Sequence, residues 1–154
     1  ERHGLAPKSE PGAAAASTIA LTIADLVVEA HATHHPIDSG QYYEQQKAAA
    51  MANATAFRRD RIPKFIGWLE HILEDNGKVL VGRRVTYADL AAFQVVEGLR
   101  YAFPKAMKKQ QAPRLFALRD AVAARPRLAR YLASDRRIPF NETGIFRRYP
   151  ELDG

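Results

Sequence analysis

Apolar residues recur at helical spacing along most of this chain. Ile19, Ile23, Leu26, Val27 and Ala30 fall three and four positions apart and predict one buried stripe. The helix carrying them is expected from about Gly12 to about His35, where Pro36 disfavours continuation. Asp38-Ser39-Gly40 marks a turn between Ile37 and Tyr43. A second helical stretch is expected from Tyr43 to Glu74. Ile62, Phe65, Ile66, Leu69, Ile72 and Leu73 give its later part the clearest amphipathic signal in the chain. Pro63 opens that stripe; it either kinks one long helix or begins a new one, and spacing does not choose between them.

Asn76-Gly77 is a helix stop, because glycine tolerates the left-handed backbone of a C-terminal cap. Lys78 to Gly82 has strand-like residues but no partner strand, so it reads as an extended connection. Thr86 and Asp89 then have the spacing of a capping box. Val85 before the cap and Leu90 inside the helix fit a hydrophobic staple. The helix that follows, Thr86 to about Ala102, is apolar nearly all round: Tyr87, Ala88, Leu90, Ala91, Phe93, Val95, Val96, Leu99. Such a helix belongs at the centre of a domain. Phe103-Pro104 ends it. Pro113 and Pro126 suit the first turns of two more helices, carrying Leu115, Leu118 and Val122, then Leu128, Tyr131 and Leu132. The fold class is therefore all-α: about five helices round one buried, capped central helix, with an irregular tail packing back on them.

Composition narrows the classes. The 154 residues are 47% hydrophobic and 26% charged, as in a globular domain. There is no cysteine, so neither a disulfide framework nor a thiolate metal site is available. No apolar run is expected to reach the length of a membrane span. The net charge of +6 permits attraction to polyanions. The arginine doublets Arg58-Arg59, Arg83-Arg84, Arg136-Arg137 and Arg147-Arg148 are spread over several elements, however. No aromatic-interleaved basic motif accompanies them, so nucleic acid is not the expected partner. There is no Gly-rich phosphate loop, no nucleophile elbow and no paired-carboxylate hydrolytic site.

Three motifs in order carry a resemblance. Gly82-Arg83-Arg84-Val85-Thr86-Tyr87-Ala88-Asp89-Leu90 resembles the capped central helix in the C-terminal domain of cytosolic glutathione transferases. Val122 to Ser134, with its Arg125-Pro126 break, resembles that family's last helices. Thr22-Ile23-Ala24-Asp25-Leu26 resembles the first long helix of the same domain. Glu1 to Pro7 resembles the end of the family's upstream thioredoxin-like domain, and Ala13 to Ala16 stands where the family usually carries larger residues. The resemblance thus divides the chain into a remnant and linker over 1–10, a helical domain over 11–137 and a tail over 138–154. It also implies that most of an upstream domain is missing here.

The resemblance implies a reaction as well. In the family the glutathione thiolate attacks a hydrophobic electrophile, and the activating residue lies on the upstream domain. No catalytic residue is therefore expected in this chain, and alone it should be inactive. Glutathione is implied as co-substrate with no further cofactor, together with a homodimer in the cytoplasm and a role in detoxification. The opposing reading is a non-catalytic, transferase-like interaction module.

Asp25 matches the family's acidic residue that reaches across the dimer to the amino group of glutathione, where a carboxylate gives a charge-assisted hydrogen bond. It also reads as an ordinary exposed or Arg-paired carboxylate. Glu29, one turn on, either shares that role or lines the dimer contact. His31 and His35, with the aromatics Phe103, Phe140 and Phe146, are the candidates for the apolar electrophile pocket; for each aromatic, core packing competes with that role. His31, His34 and His35 are donors suited to zinc or copper. Three ligands on one helix span a tetrahedral ion poorly, so no metal is expected. Thr86 and Asp89 are read as structural, worth about 1 kcal/mol as a cap.

Overall fold

The computed structural model describes residues 3–154. Among them there are helices and turns and no strand. The helices are α1 (Glu10–Ala32), α2 (Lys47–Ala56), α3 (Ile62–Asn76), α4 (Tyr87–Ala102), α5 (Pro104–Lys108), α6 (Pro113–Ala123) and α7 (Pro126–Leu132). The all-α expectation holds, with α5 as an unexpected addition.

Helix α4 is the centre. Ala88, Ala92, Phe93, Val95, Val96, Leu99 and Ala102 are all buried along it, and α1, α5 and α6 pack around it. Its capping box forms. Thr86 donates its backbone N–H to Asp89 Oδ2 at 2.6 Å and its hydroxyl to the same oxygen at 3.0 Å. The other carboxylate oxygen accepts the Leu80 N–H at 2.8 Å. Asp89 is fully buried, so this one carboxylate both starts the helix and pins the connection before it. The Tyr87 N–H, a first-turn amide, donates to the Leu5 carbonyl at 3.0 Å.

Helix α1 buries Ala16, Ile19, Ile23, Leu26 and Ala30 against α4. It ends three residues earlier than its pattern predicts. Continuation to Pro36 would leave the Ala32 carbonyl without a donor, because proline has no N–H. The Asn53 side chain on α2 donates to that carbonyl instead, at 2.7 Å. His34 and His35 consequently lie in the turn beyond the helix. By length and composition α1 is apolar enough to cross a membrane, which corrects the expectation that no segment is. Its alanines and its scarcity of charges produce that property, and its apolar stripe is the part buried in this core.

The stretch from α2 to α3 is continuous. A π turn over Phe57–Arg61 joins them immediately before Pro63. The wider turn accommodates a residue that cannot donate to the carbonyl four positions back. Pro63 therefore neither breaks the helix nor starts a separate one.

Two short helices are capped from a distance. Neither α5 nor α6 has a side-chain cap of its own. Asp153 in the tail accepts the N–H groups of Lys105 and Ala106 at 2.9 and 3.2 Å. Glu70 on α3, nearly fully buried, accepts those of Arg114 and Leu115 at 3.1 and 2.8 Å. Both satisfy amides that a helix start leaves open. The tail closes over the domain elsewhere too. Phe146 is buried over Gly98, Leu152 enters the core, and Arg58 donates to the Leu152 carbonyl.

Candidate functional site

The outer face of α1 carries Leu21, Asp25 and Val28 at i, i+4 and i+7, which places them on one stripe. All three are exposed, the two apolar side chains at 68% and 67%. Asp25 makes no ion pair among the described residues. Glu29 is committed elsewhere: it holds Arg61 in a two-pronged pair, with both N···O distances 2.7 Å. That pair fastens the π turn to α1 and leaves Asp25 as the outward carboxylate of the two.

The C-terminal end of α1 is a second polar locus. The His34 ring is buried; its Nε2–H donates to the Ile145 carbonyl at 2.8 Å, while Nδ1 has no partner. The His31 and His35 rings have their centroids 5.0 and 4.8 Å from that of His34. Arg147 Nη1 donates to His35 Nε2 at 2.9 Å. Burial pushes His34 down to about 4, with Arg147 and the two imidazoles adding to the effect and the Ile145 bond opposing it. His31 is lowered as well, by burial first and then by His35 and Arg147. Nearby, Tyr43 stacks on Tyr149 at 3.9 Å and donates to Glu151 Oε1 at 2.9 Å. Burial and that carboxylate raise the phenol's pKa. Glu151 is lowered by its own backbone N–H and by the same hydroxyl. This cluster fastens the tail to the end of α1.

The five residues expected to line one pocket do not all meet: Phe140 packs edge to face on Phe146 at 6.4 Å and His31 stacks on His35 at 5.0 Å, but the two pairs and Phe103 stand apart. Phe103 is buried in the core, its ring 5.5 Å from that of Phe57. Phe146 is held over Gly98 by the close approach that a glycine permits. His31 and His35 join the histidine cluster. Phe140 stacks on Tyr101 at 5.0 Å and lines a cavity of about 250 Å³ with Leu90, Phe93, Leu128 and Leu132. The aromatic residues of the tail therefore serve chiefly to seat it. A spacing pattern cannot separate those roles, because both need an apolar ring near α4.

Two larger cavities escaped sequence reasoning. One, of about 890 Å³, lies between the N-terminal stretch and the turn before α4, beside Pro7, Lys8, Arg83 and Arg84. The other, of about 690 Å³, lies between Leu5, Leu90, Pro126 and Tyr131. Their walls come from segments distant in sequence, so no local signal marks them. Five of the described arginines form ion pairs: Arg59 with Asp60, Arg61 with Glu29, Arg114 with Glu70 and Glu74, Arg119 with Glu97, and Arg137 more loosely with Glu97.

This arrangement of a buried, capped central helix with the long α1 packed across it is matched in known proteins. Residues 31–135 match the family described as "Glutathione S-transferase, C-terminal domain". The chain belongs to that family. A glutathione S-transferase of Plasmodium yoelii yoelii is 31% identical over 83 residues, which is 53% of this chain and 39% of that protein. One of Plasmodium falciparum (isolate 3D7) is 28% identical over 89 residues, 53% of this chain and 41% of that protein. The match thus spans about two fifths of those relatives' length. Among solved structures, rat hPGDS complexed with a quinoline aligns with a TM-score of 0.66 at 20% identity, covering 83% of this chain and 58% of that one. Monomeric Na-GST-3, a glutathione S-transferase from the hookworm Necator americanus, aligns with a TM-score of 0.64 at 18% identity, covering 90% of this chain and 65% of that one. These structural likenesses establish the fold.

Proposed function

We propose that the chain is the helical half of a cytoplasmic glutathione transferase that conjugates glutathione to hydrophobic electrophiles and so serves detoxification. Family membership over residues 31–135 is the observation that carries the reading. The nucleophile is the glutathione thiolate, and the group that activates it belongs to a thioredoxin-like domain outside these residues. This chain then has no catalytic residue of its own. Its contribution is apolar surface for the electrophile, including the Phe140 cavity, and a dimer contact.

Asp25 is assigned to glutathione. The exposed Leu21 and Val28 flank it on α1, and burying them against a second copy would carry Asp25 to the partner's glutathione amino group. One neighbour in fold is described as monomeric, so oligomeric state is itself a measurement worth making. The test uses the full natural polypeptide bearing this sequence. It should conjugate glutathione to an activated chloronitroarene. Asp25→Ala should raise KM for glutathione about tenfold, the loss of one charge-assisted bond, with kcat nearly kept. Absence of conjugation by the intact polypeptide would refute the transferase reading. An unchanged KM in the variant would remove Asp25 from the site. The curated relatives are named as transferases, and no specific observation favours the interaction-module alternative.

A further inference from the structure

We propose that His31, His34 and His35 form a binding site for one borderline divalent transition metal, of the zinc and copper type. One ring nitrogen from each lies within 4.8 Å of the other two. Ligands on a tetrahedral zinc at about 2.0–2.1 Å stand roughly 3.4 Å apart. Side-chain swings of about 1 Å therefore complete the set. His31 and His35 are partly exposed and have room to make them.

The sequence argues against this site only while all three residues sit on one regular helix. They do not. The helix ends at Ala32, and the chain turns through Thr33, whose hydroxyl donates to the Ala30 carbonyl at 2.7 Å. The N–H groups of His34 and His35 both reach the His31 carbonyl, at 3.2 Å each. The His35 bond is the i→i−4 bond of an α-helix and the His34 bond the tighter i→i−3 one, so the three imidazoles share one face of this closing turn. The three rings pack mutually, at centroid separations of 5.0, 5.0 and 4.8 Å.

His34 gives the independent reason to place an ion here. Its Nε2–H is spent on the Ile145 carbonyl, which fixes both the tautomer and the ring orientation. The remaining nitrogen, Nδ1, is a buried lone pair with no partner, an expensive state for a polar atom. A backbone carbonyl on one ring nitrogen with the other nitrogen free is the arrangement that orients metal-ligating histidines. An all-imidazole donor set selects zinc, copper or nickel over calcium or magnesium. No thiolate or carboxylate is required, since three protein ligands and an open fourth position suffice.

Arg147 opposes the ion. Its guanidinium sits 2.9 Å from His35 Nε2 and places a fixed positive charge beside the site. The other His35 nitrogen, Nδ1, faces the Gln46 side-chain amide at 3.3 Å, so an ion that takes Nε2 competes with Arg147, and removal of the arginine should strengthen binding. Because Arg147 belongs to the tail, occupancy of the site is coupled to how tightly the tail is held.

Cobalt(II) and zinc(II) titration of the full polypeptide, purified without a histidine tag, tests this. One equivalent of cobalt should produce the visible bands of a tetrahedral ion, and zinc should displace it. His31→Ala and His35→Ala change partly exposed residues and should still fold. Each should weaken binding about tenfold or more. Arg147→Gln should tighten it several-fold. No cobalt bands at micromolar metal would overturn the site, as would full binding in both alanine variants. Weaker binding in Arg147→Gln would overturn the competition. The readout does not depend on transferase activity, so the site and the enzymatic reading stand or fall separately.

Discussion

Gly98 lies in the middle of α4, where glycine ordinarily costs stability. Replacing it with alanine should gain about 1 kcal/mol through helix propensity alone. The structure predicts the opposite sign. A Cβ built on Gly98 falls 2.5 Å from Cγ and Cε2 of Phe146. Cγ is the root of the ring, so rotation about the side chain's far end does not relieve the contact, and the ring must leave. Full burial of such a ring is worth about 1.5–3 kcal/mol. The neighbouring Ile145–His34 hydrogen bond contributes roughly 1 kcal/mol more. Subtracting the propensity gain leaves Gly98→Ala destabilised by about 1.5–3 kcal/mol. In a Phe146→Ala background the clash is gone, and the same substitution should stabilise by about 1 kcal/mol. Urea unfolding followed by the single tryptophan, Trp68, measures all four members of this cycle. Trypsin cleavage at Arg147-Arg148 reports on the tail and should accelerate in Gly98→Ala. Stabilisation in both backgrounds, or an equal loss in both, would refute the packing argument.

Other expectations can be checked on the same material. His34 has its pKa lowered from 6.5 to about 4, so the fold favours the neutral ring. Its contribution is complete above pH 6.5 and is lost as pH falls toward 4, about 3 kcal/mol at most; His34→Met should flatten a stability profile over that window. Glu70→Ala strips the cap from α6 and leaves two first-turn amides unpaired, and should cost about 1–3 kcal/mol in denaturation midpoint times slope. Asp89→Ala loses three hydrogen bonds, not just a helix cap. It should cost about 2–4 kcal/mol, whereas Thr86→Ala, which spares the Leu80 bond, should cost about 1 kcal/mol. If the two variants prove equally unstable, Asp89 is acting only as a cap.

The capping box, the apolar α4 and the prolines at the starts of α6 and α7 were readable because each is a local property. Spacing, turn chemistry and the missing proline N–H act within a few residues. Those features, together with the resemblance they carry, sufficed for an all-α domain round one central helix. The end of α1 was misplaced because Asn53, 21 positions away from the Ala32 carbonyl, decides where the helix stops. The short α5 was invisible for the same reason: its first amides are satisfied by Asp153 from the far end of the chain.

The candidate sites divide along the same line. Asp25 could be named from its neighbours in sequence, and its exposure together with Leu21 and Val28 follows from helical period alone. The grouping of His31, His34 and His35 was visible in their spacing, but the burial of His34 was not, because it rests on the carbonyl of Ile145 in the tail. The roles of Phe103, Phe140 and Phe146 were decided only by packing, since an apolar ring leaves water equally well into a core, a tail seat or a ligand cavity. Sequence thus determined which helices form and which faces they bury, through short-range backbone preference and the period of apolar residues. The tertiary structure decided where helices end, what caps them and which cavities exist, because those outcomes rest on hydrogen bonds and contacts between residues that only the completed fold brings together.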